Sequence, residues 1–123
     1  MNVDLNIHKM RTVENYEVKI WLGLRTGYTT NYAAKSDAWK VIQDWCNEKK
    51  QCVNVSDTRF IYVDGQEPGL VIGFINYPRF PMEKEEILNR ALELGEILRK
   101  KFNQYRVSVT TPVTTYLLED DEK

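Results

Sequence analysis

The sequence predicts an α+β domain in the order β-α-β-β-α-β, a ferredoxin-like split βαβ fold with an antiparallel sheet and two helices on one of its faces. Three observations predict it. Residues 16–25 alternate without a slip, placing Tyr16, Val18, Ile20, Leu22 and Leu24 on one side of a half-buried strand. Two later segments carry apolar residues at the helical spacing. Between those segments, two runs rich in β-branched and aromatic residues flank Asp64, Gly65, Pro68 and Gly69, which supply turn chemistry.

Each element follows in order. The first strand turns Glu17, Lys19, Trp21 and Arg25 to its other side, where Trp21 is expected to meet a neighbouring side chain. Residues 27–31 read as a loop. Ser36 or Asp37 is expected to cap a helix whose Ala38, Val41, Ile42, Trp45 and Cys46 form a core-facing stripe. Residues 52–63 form a strand, 64–69 a turn and 70–75 a second strand. With no polar alternate, that second strand should be central in the sheet. After Pro81 a helix carries Ile87, Leu88, Ala91, Leu92, Leu94, Gly95, Ile97, Leu98 and Phe102, a stripe wider than one sheet requires. The excess predicts a second buried surface and a symmetric dimer or larger homo-oligomer. A last strand over 105–110 leads into an extended tail through Leu118. The whole chain, 1–123, is one domain, with 1–15 and 119–123 as flexible ends.

Composition narrows the function classes. The 123 residues are 42% hydrophobic and 28% charged, enough for one modest core. Seventeen basic residues against eighteen acidic give a net charge of -1, which argues against a broad basic face for duplex nucleic acid. No apolar run reaches the ~18 residues of a membrane span and the polar start lacks a signal-peptide core, so the expected place is the cytoplasm. Cys46 and Cys52, with His8 the one imidazole, match neither a zinc knuckle nor a redox CxxC pair. They read as reduced packing residues, and neither a metal nor a cofactor is expected. No catalytic residue is expected either. A nucleophile needs a base within reach, yet no Gly-rich phosphate loop, GxSxG or HExxH occurs. Glu85-Glu86 and Glu119-Asp120-Asp121 read as solvated charge, and Asp57 and Asp64 as turn or strand-end residues.

Binding is better supported. Pro78 and Pro81 stiffen the turn that carries Arg79 and Phe80, so a cation and a ring are held beside a helix start with little entropy left to lose. Arg59 precedes Phe60, and Arg106 follows Gln104 and Tyr105. Guanidinium groups beside aromatic rings suit an anionic ligand with a flat base. Asn89 falls with Arg90, Glu93 and Glu96 on the polar face of the second helix.

Trp21-Leu22-Gly23-Leu24, Arg59-Phe60-Ile61-Tyr62, the stretch 64–81 and Asn103-Gln104-Tyr105-Arg106-Val107 resemble the phage Thoeris anti-defence sponge proteins, over residues 16–111. The resemblance implies a non-enzymatic bacteriophage protein, working in the cytoplasm of the infected bacterium, that sequesters cyclic ADP-ribose-type signals without cleaving them. It also implies a homo-oligomer, dimer or hexamer, and some of these proteins hold cyclic di- or trinucleotides at a separate site of the hexamer. By local motif it implies Arg59, Arg79, Phe80, Asn89, Tyr105 and Arg106 as ligand contacts. The alternative is a small-molecule or nucleotide-binding regulatory domain of a homo-oligomeric protein.

Overall fold

The structure, a computed structural model, describes residues 6–121. It has the predicted elements and one more: β1 (Glu17–Gly23), α1 (Lys35–Lys49), β2 (Asn54–Tyr62), β3 (Gly65–Ile75), α2 (Lys84–Lys101), β4 (Arg106–Thr110) and β5 (Thr115–Glu119). The five strands form one sheet in the order β2-β3-β1-β4-β5 with every neighbouring pair antiparallel. Both helices lie on one face, so the first four strands have the ferredoxin-like arrangement.

The alternation of β1 decides which face is covered. Val18, Ile20, Leu22 and Leu24 are fully buried, and their partners on β3 and β4 are Leu70, Ile72, Phe74 and Val109. Against these pack Ala38, Ile42 and Trp45 of α1 and Ile87, Ala91, Leu94 and Leu98 of α2. Trp45 meets Phe74 edge-on, with ring centroids 6.0 Å apart. Gly95 lets α2 come down onto the sheet: a Cβ there would lie 3.1 Å from Leu118 and 3.3 Å from Val109. On the uncovered face, the Trp21 indole donates to Thr110 Oγ1 at 3.0 Å, the neighbour that its parity called for.

Four expectations need adjustment. The turn between β2 and β3 is two residues, Val63 and Asp64, with Asp64 in the left-handed region at φ 59°. β3 therefore starts at Gly65 and absorbs the stretch read as a loop. Neither Ser36 nor Asp37 caps α1. The helix begins at least two residues earlier, behind Ala34, where the Ala33 N–H is held by the Leu24 carbonyl at 2.7 Å. Cys46 is half-buried, but Cys52 is exposed rather than packed. The broad stripe of α2 is mostly used within the protomer, since Leu88 and Leu92 pack against the core and only Ile97 is exposed.

The chain after Pro112 is the added feature. Thr111 and Thr114 close a turn, and β5 returns along β4 with Tyr116 and Leu118 toward the core. Beyond it Asp120, expected in a flexible end, accepts from the buried Arg99 guanidinium. Arg99 also donates to Glu96 through Nε and Nη2, both at 2.8 Å, and to the Gln104 carbonyl at 3.3 Å. These bonds satisfy a cation that would otherwise be costly to bury.

Two outcomes test this packing. Leu94→Ala should lower stability in urea by about 2–5 kcal/mol, and Leu92→Ala, half-buried, by less. The Arg99 hydrogen bonds hold the Glu96 carboxyl below its ordinary value of 4.5, so this pair stabilises the fold above that pH and the gain is lost as pH falls through the lowered value. Because Glu96 is partly exposed the effect is small, and Glu96→Gln should flatten the acid limb of a pH–stability curve.

Candidate functional site

Five elements bring their ends together on one side of the sheet: the end of β1, the end of β2, the start of β3, the start of β4 and the end of β5. β3 outruns β1 here. The last paired residues are Gly23 and Gly69, after which the Leu24 N–H reaches the Pro68 carbonyl at 3.1 Å. A strand residue's N–H and C=O point to the same neighbour, so the donor that Pro68 lacks would have faced the Leu24 carbonyl, which accepts the Ala33 N–H at 2.7 Å instead. Proline is tolerated in a central strand for that reason.

One residue before it, Glu67 points to the uncovered face with its side chain 14% exposed. Its carboxylate accepts the Arg25 backbone N–H at 3.1 Å and the Tyr62 hydroxyl at 3.3 Å. Gly23 gives it room: a Cβ at that position would sit 2.5 Å from Glu67 Oε2 and 3.2 Å from Gln104 Oε1. Gln104, also buried, donates to the Arg25 carbonyl at 2.6 Å and the Phe102 carbonyl at 3.1 Å, fixing the chain at both sides.

Around this carboxylate stand tyrosines. The Arg25 guanidinium carbon lies 5.9 Å from the Tyr62 ring centroid and 6.0 Å from that of Tyr28. Its Nε is 4.0 Å from Glu67 Oε1, too far for a hydrogen bond, and has no hydrogen-bond partner among the described residues although it is buried. Tyr28 stacks on Tyr105 with centroids 4.7 Å apart, and Tyr32 pairs with Arg25 through the backbone. Partial desolvation, aided by Glu67 and opposed by Arg25, raises the Tyr62 phenol above its ordinary value, so it stays a neutral donor. A cavity of about 450 Å³ opens beside the Tyr28–Tyr105 pair, lined also by Thr26, Gly27, Asn103 and the saturated Arg99. That volume is within the range of small-molecule sites.

The sequence-predicted residues divide between two ends of the sheet. Tyr105 and Arg106 belong to the end just described. Arg106 is exposed, 3.4 Å from Glu119, and the Tyr28 hydroxyl beside it raises its guanidinium above the ordinary value. Arg59 is at the same end on β2 but, paired with Pro68, on the face opposite Glu67, where it donates to Gln66 at 3.3 Å. Arg79 and Phe80 stand at the other end of β3, roughly 30 Å away at the strand rise. There Phe80 is 67% exposed with the Arg79 guanidinium 5.6 Å from its ring, and it lines a cavity of about 700 Å³ with Cys46, Cys52, Tyr77 and Met82. Asn89 is exposed on α2. Within one chain the six do not share a pocket. Sequence reasoning passed over Glu67, Arg25, Tyr28 and Tyr62. For Glu67 the available signal was parity, because it alternates with Gly69 and Val71 along β3.

No protein-family model matches the chain, and no curated protein matches it. Solved structures do. A phage SAM lyase in complex with S-methyl-5'-thioadenosine superposes with a TM-score of 0.75 at 17% identity, covering 96% of this chain and 99% of that one. A phage SAM lyase in the apo state gives 0.72 at 19% identity, covering 88% and 91%. At these identities the likeness establishes the fold. Both solved structures are named as phage proteins, and neither is named as a Thoeris sponge. The expectation of a non-enzymatic protein that sequesters cyclic ADP-ribose is corrected on this finding, because both solved structures that it matches are named as a lyase, an enzyme. Neither the alternative of a regulatory domain nor the hexamer gains support from it.

The distal cavity carries its own test. Burial, with Cys52 the next cause, pushes the Tyr77 phenol from 10.0 up to about 12. A raised phenol contributes stability that is present below its unfolded value and lost as pH rises through the folded one. Stability should therefore fall between pH 10 and about 12, and Tyr77→Phe should remove this part of the alkaline loss in a denaturation series.

Proposed function

We propose that the chain is an S-adenosylmethionine-cleaving lyase of the phage anti-defence kind, acting at the Glu67 end of the sheet. The observation that carries this is the cation-binding chemistry gathered there: a largely buried carboxylate, bonded and fixed, ringed by tyrosine faces that already hold a guanidinium. S-adenosylmethionine offers two cations, a sulfonium and an ammonium, and a flat base. Aromatic faces attract a sulfonium as they attract other soft onium ions, and Glu67 is the counter-charge for the ammonium. The adenosine fits the adjoining cavity, where the stacked Tyr28 and Tyr105 rings offer a flat apolar surface.

The reaction needs little from the protein. One oxygen of the substrate's own carboxylate attacks Cγ of the amino-acid arm, the Cγ–S bond breaks, and its electron pair stays on sulfur. The products are neutral S-methyl-5'-thioadenosine and homoserine lactone, which keeps the ammonium charge. No water, base or enzyme nucleophile takes part, so atoms and charge balance within the substrate. Two opposite charges neutralise each other along this path, so moving the substrate out of water favours the step. Folding the flexible arm until carboxylate and Cγ are in line costs entropy, and a fixed ammonium partner meets part of that cost on binding, before the barrier. A search for a nucleophile and base therefore misses such an enzyme. Removing the cell's methyl donor would disarm host defences that depend on it.

Incubation with S-adenosylmethionine followed by mass spectrometry should reveal S-methyl-5'-thioadenosine and homoserine lactone in equal amounts, and substrate left intact would overturn the proposal. Glu67→Gln, isosteric but uncharged, should lower kcat/KM by about tenfold to a hundredfold, the loss of one charge-assisted bond.

A further inference from the structure

The cation site described above is already filled. Arg25 places its guanidinium between the Tyr28 and Tyr62 rings, at 6.0 and 5.9 Å from their centroids, and 4.0 Å from the Glu67 carboxylate. It is also incompletely bonded there, since the buried Nε has no hydrogen-bond partner among the described residues. A buried donor without a partner is a standing cost, so the resting position is one the side chain can leave with gain. The Arg25 backbone cannot follow, because its N–H is held by Glu67 and its carbonyl by Gln104. Any change is therefore confined to the side chain.

We propose that Arg25 is the specificity-determining residue of the lyase site: a resident cation that yields its place between the tyrosines to the substrate's sulfonium and takes the substrate's carboxylate as its missing partner. This rests on the lyase reading and adds the ligand group that selects the substrate. The exchange is isoelectric, one soft cation for another against the same rings, so entry of the sulfonium does not leave the aromatic faces or Glu67 without a positive neighbour. A ligand with a sulfonium but no carboxylate displaces Arg25 and offers it nothing. A ligand with neither group leaves it where it is. One guanidinium N–H pair holds one carboxylate oxygen and leaves the other free to attack Cγ, so Arg25 positions the arm as well as selecting it.

Calorimetry with three adenosyl ligands tests this on the whole protein: S-adenosylhomocysteine (carboxylate, no sulfonium), decarboxylated S-adenosylmethionine (sulfonium, no carboxylate) and S-methyl-5'-thioadenosine (neither). In the wild type, S-adenosylhomocysteine should bind about tenfold to a hundredfold tighter than S-methyl-5'-thioadenosine. In Arg25→Met that ratio should fall severalfold, to the smaller preference that the pair of Glu67 with the ligand's ammonium alone supplies, while decarboxylated S-adenosylmethionine binds tighter than it does to the wild type, because the place is vacant. An unchanged ratio in an Arg25→Met protein that melts like the wild type overturns the inference. Should the methionine variant not fold, Arg25→Lys decides, with a reduced ratio and a raised KM expected and an unchanged ratio overturning it. A wild type that cleaves S-adenosylmethionine, with the ratio unchanged in the variants, removes this inference alone. A wild type that binds none of these ligands and leaves S-adenosylmethionine uncut removes the lyase reading, and this inference with it.

Discussion

The bond from the Arg25 backbone N–H to the Glu67 carboxylate joins the two parts of this molecule that matter most, the end of a core strand and the candidate site. β1 stops pairing at Gly23, while β3 extends four residues further toward its own start. That overhang would leave unpaired backbone on both strands. Leu24 is satisfied by the Pro68 carbonyl, Arg25 by Glu67, and the Arg25 carbonyl by Gln104. A carboxylate used in this way is held by the fold itself. Its position follows from sheet register rather than from a loop, which gives a rigid counter-charge without a metal-like cluster of acids.

Two glycines make that arrangement possible for steric reasons of different kinds. Gly23 lies under Glu67 and Gln104, where a methyl group would push the carboxylate out of reach of Arg25. Gly95 lies on the opposite face of the sheet and sets how closely α2 approaches Val109 and Leu118. The same helix carries Arg99, whose bonds to Glu96, Gln104 and Asp120 tie the end of β5 to the loop that leads into β4. Position of α2, closure of the last strand and placement of Gln104 are thus one packing problem, and Gln104 passes its result to the carboxylate side.

Much of the fold was legible because its signals are periodic. β1 alternates without interruption, and the stripes of α1 and α2 fall on the buried residues Ala38, Ile42, Trp45, Ile87, Ala91, Leu94 and Leu98. The failures are local and share a cause. Gly65, Pro68 and Gly69 each favour turns in isolation, yet all three lie in β3, because the Tyr62 and Phe60 rings lie where side chains at the glycines would stand and the Leu24 carbonyl facing Pro68 is already bonded to the Ala33 N–H. β5 was missed because it is short and pairs only with β4. The site was the least legible part. Arg25 and Tyr28 lie more than thirty residues from Tyr62 and Glu67 and the two pairs meet only through the register of three strands, while Arg79 and Phe80, adjacent in sequence and suggestive, stand at the far end. The chemical class was misjudged for another reason: requiring a nucleophile from the protein excludes reactions in which the substrate brings its own.

The saturation of Arg99 bears on what the cavity refuses. Its Nε, Nη1 and Nη2 are all committed to Glu96, Gln104 and Asp120, and Lys100 beside it leans on Glu96 at 3.7 Å. A pocket whose wall contains a guanidinium would ordinarily attract polyphosphates, and nucleoside triphosphates are the commonest adenosine-bearing solutes in a cell. Here that cation is neutralised from within the protein by Glu96 and Asp120, so under the lyase reading a triphosphate would find the Arg99 guanidinium already bonded. On that reading, the hydrogen bonds that hold down a C-terminal strand would also lessen the draw of this wall for the commonest competitor.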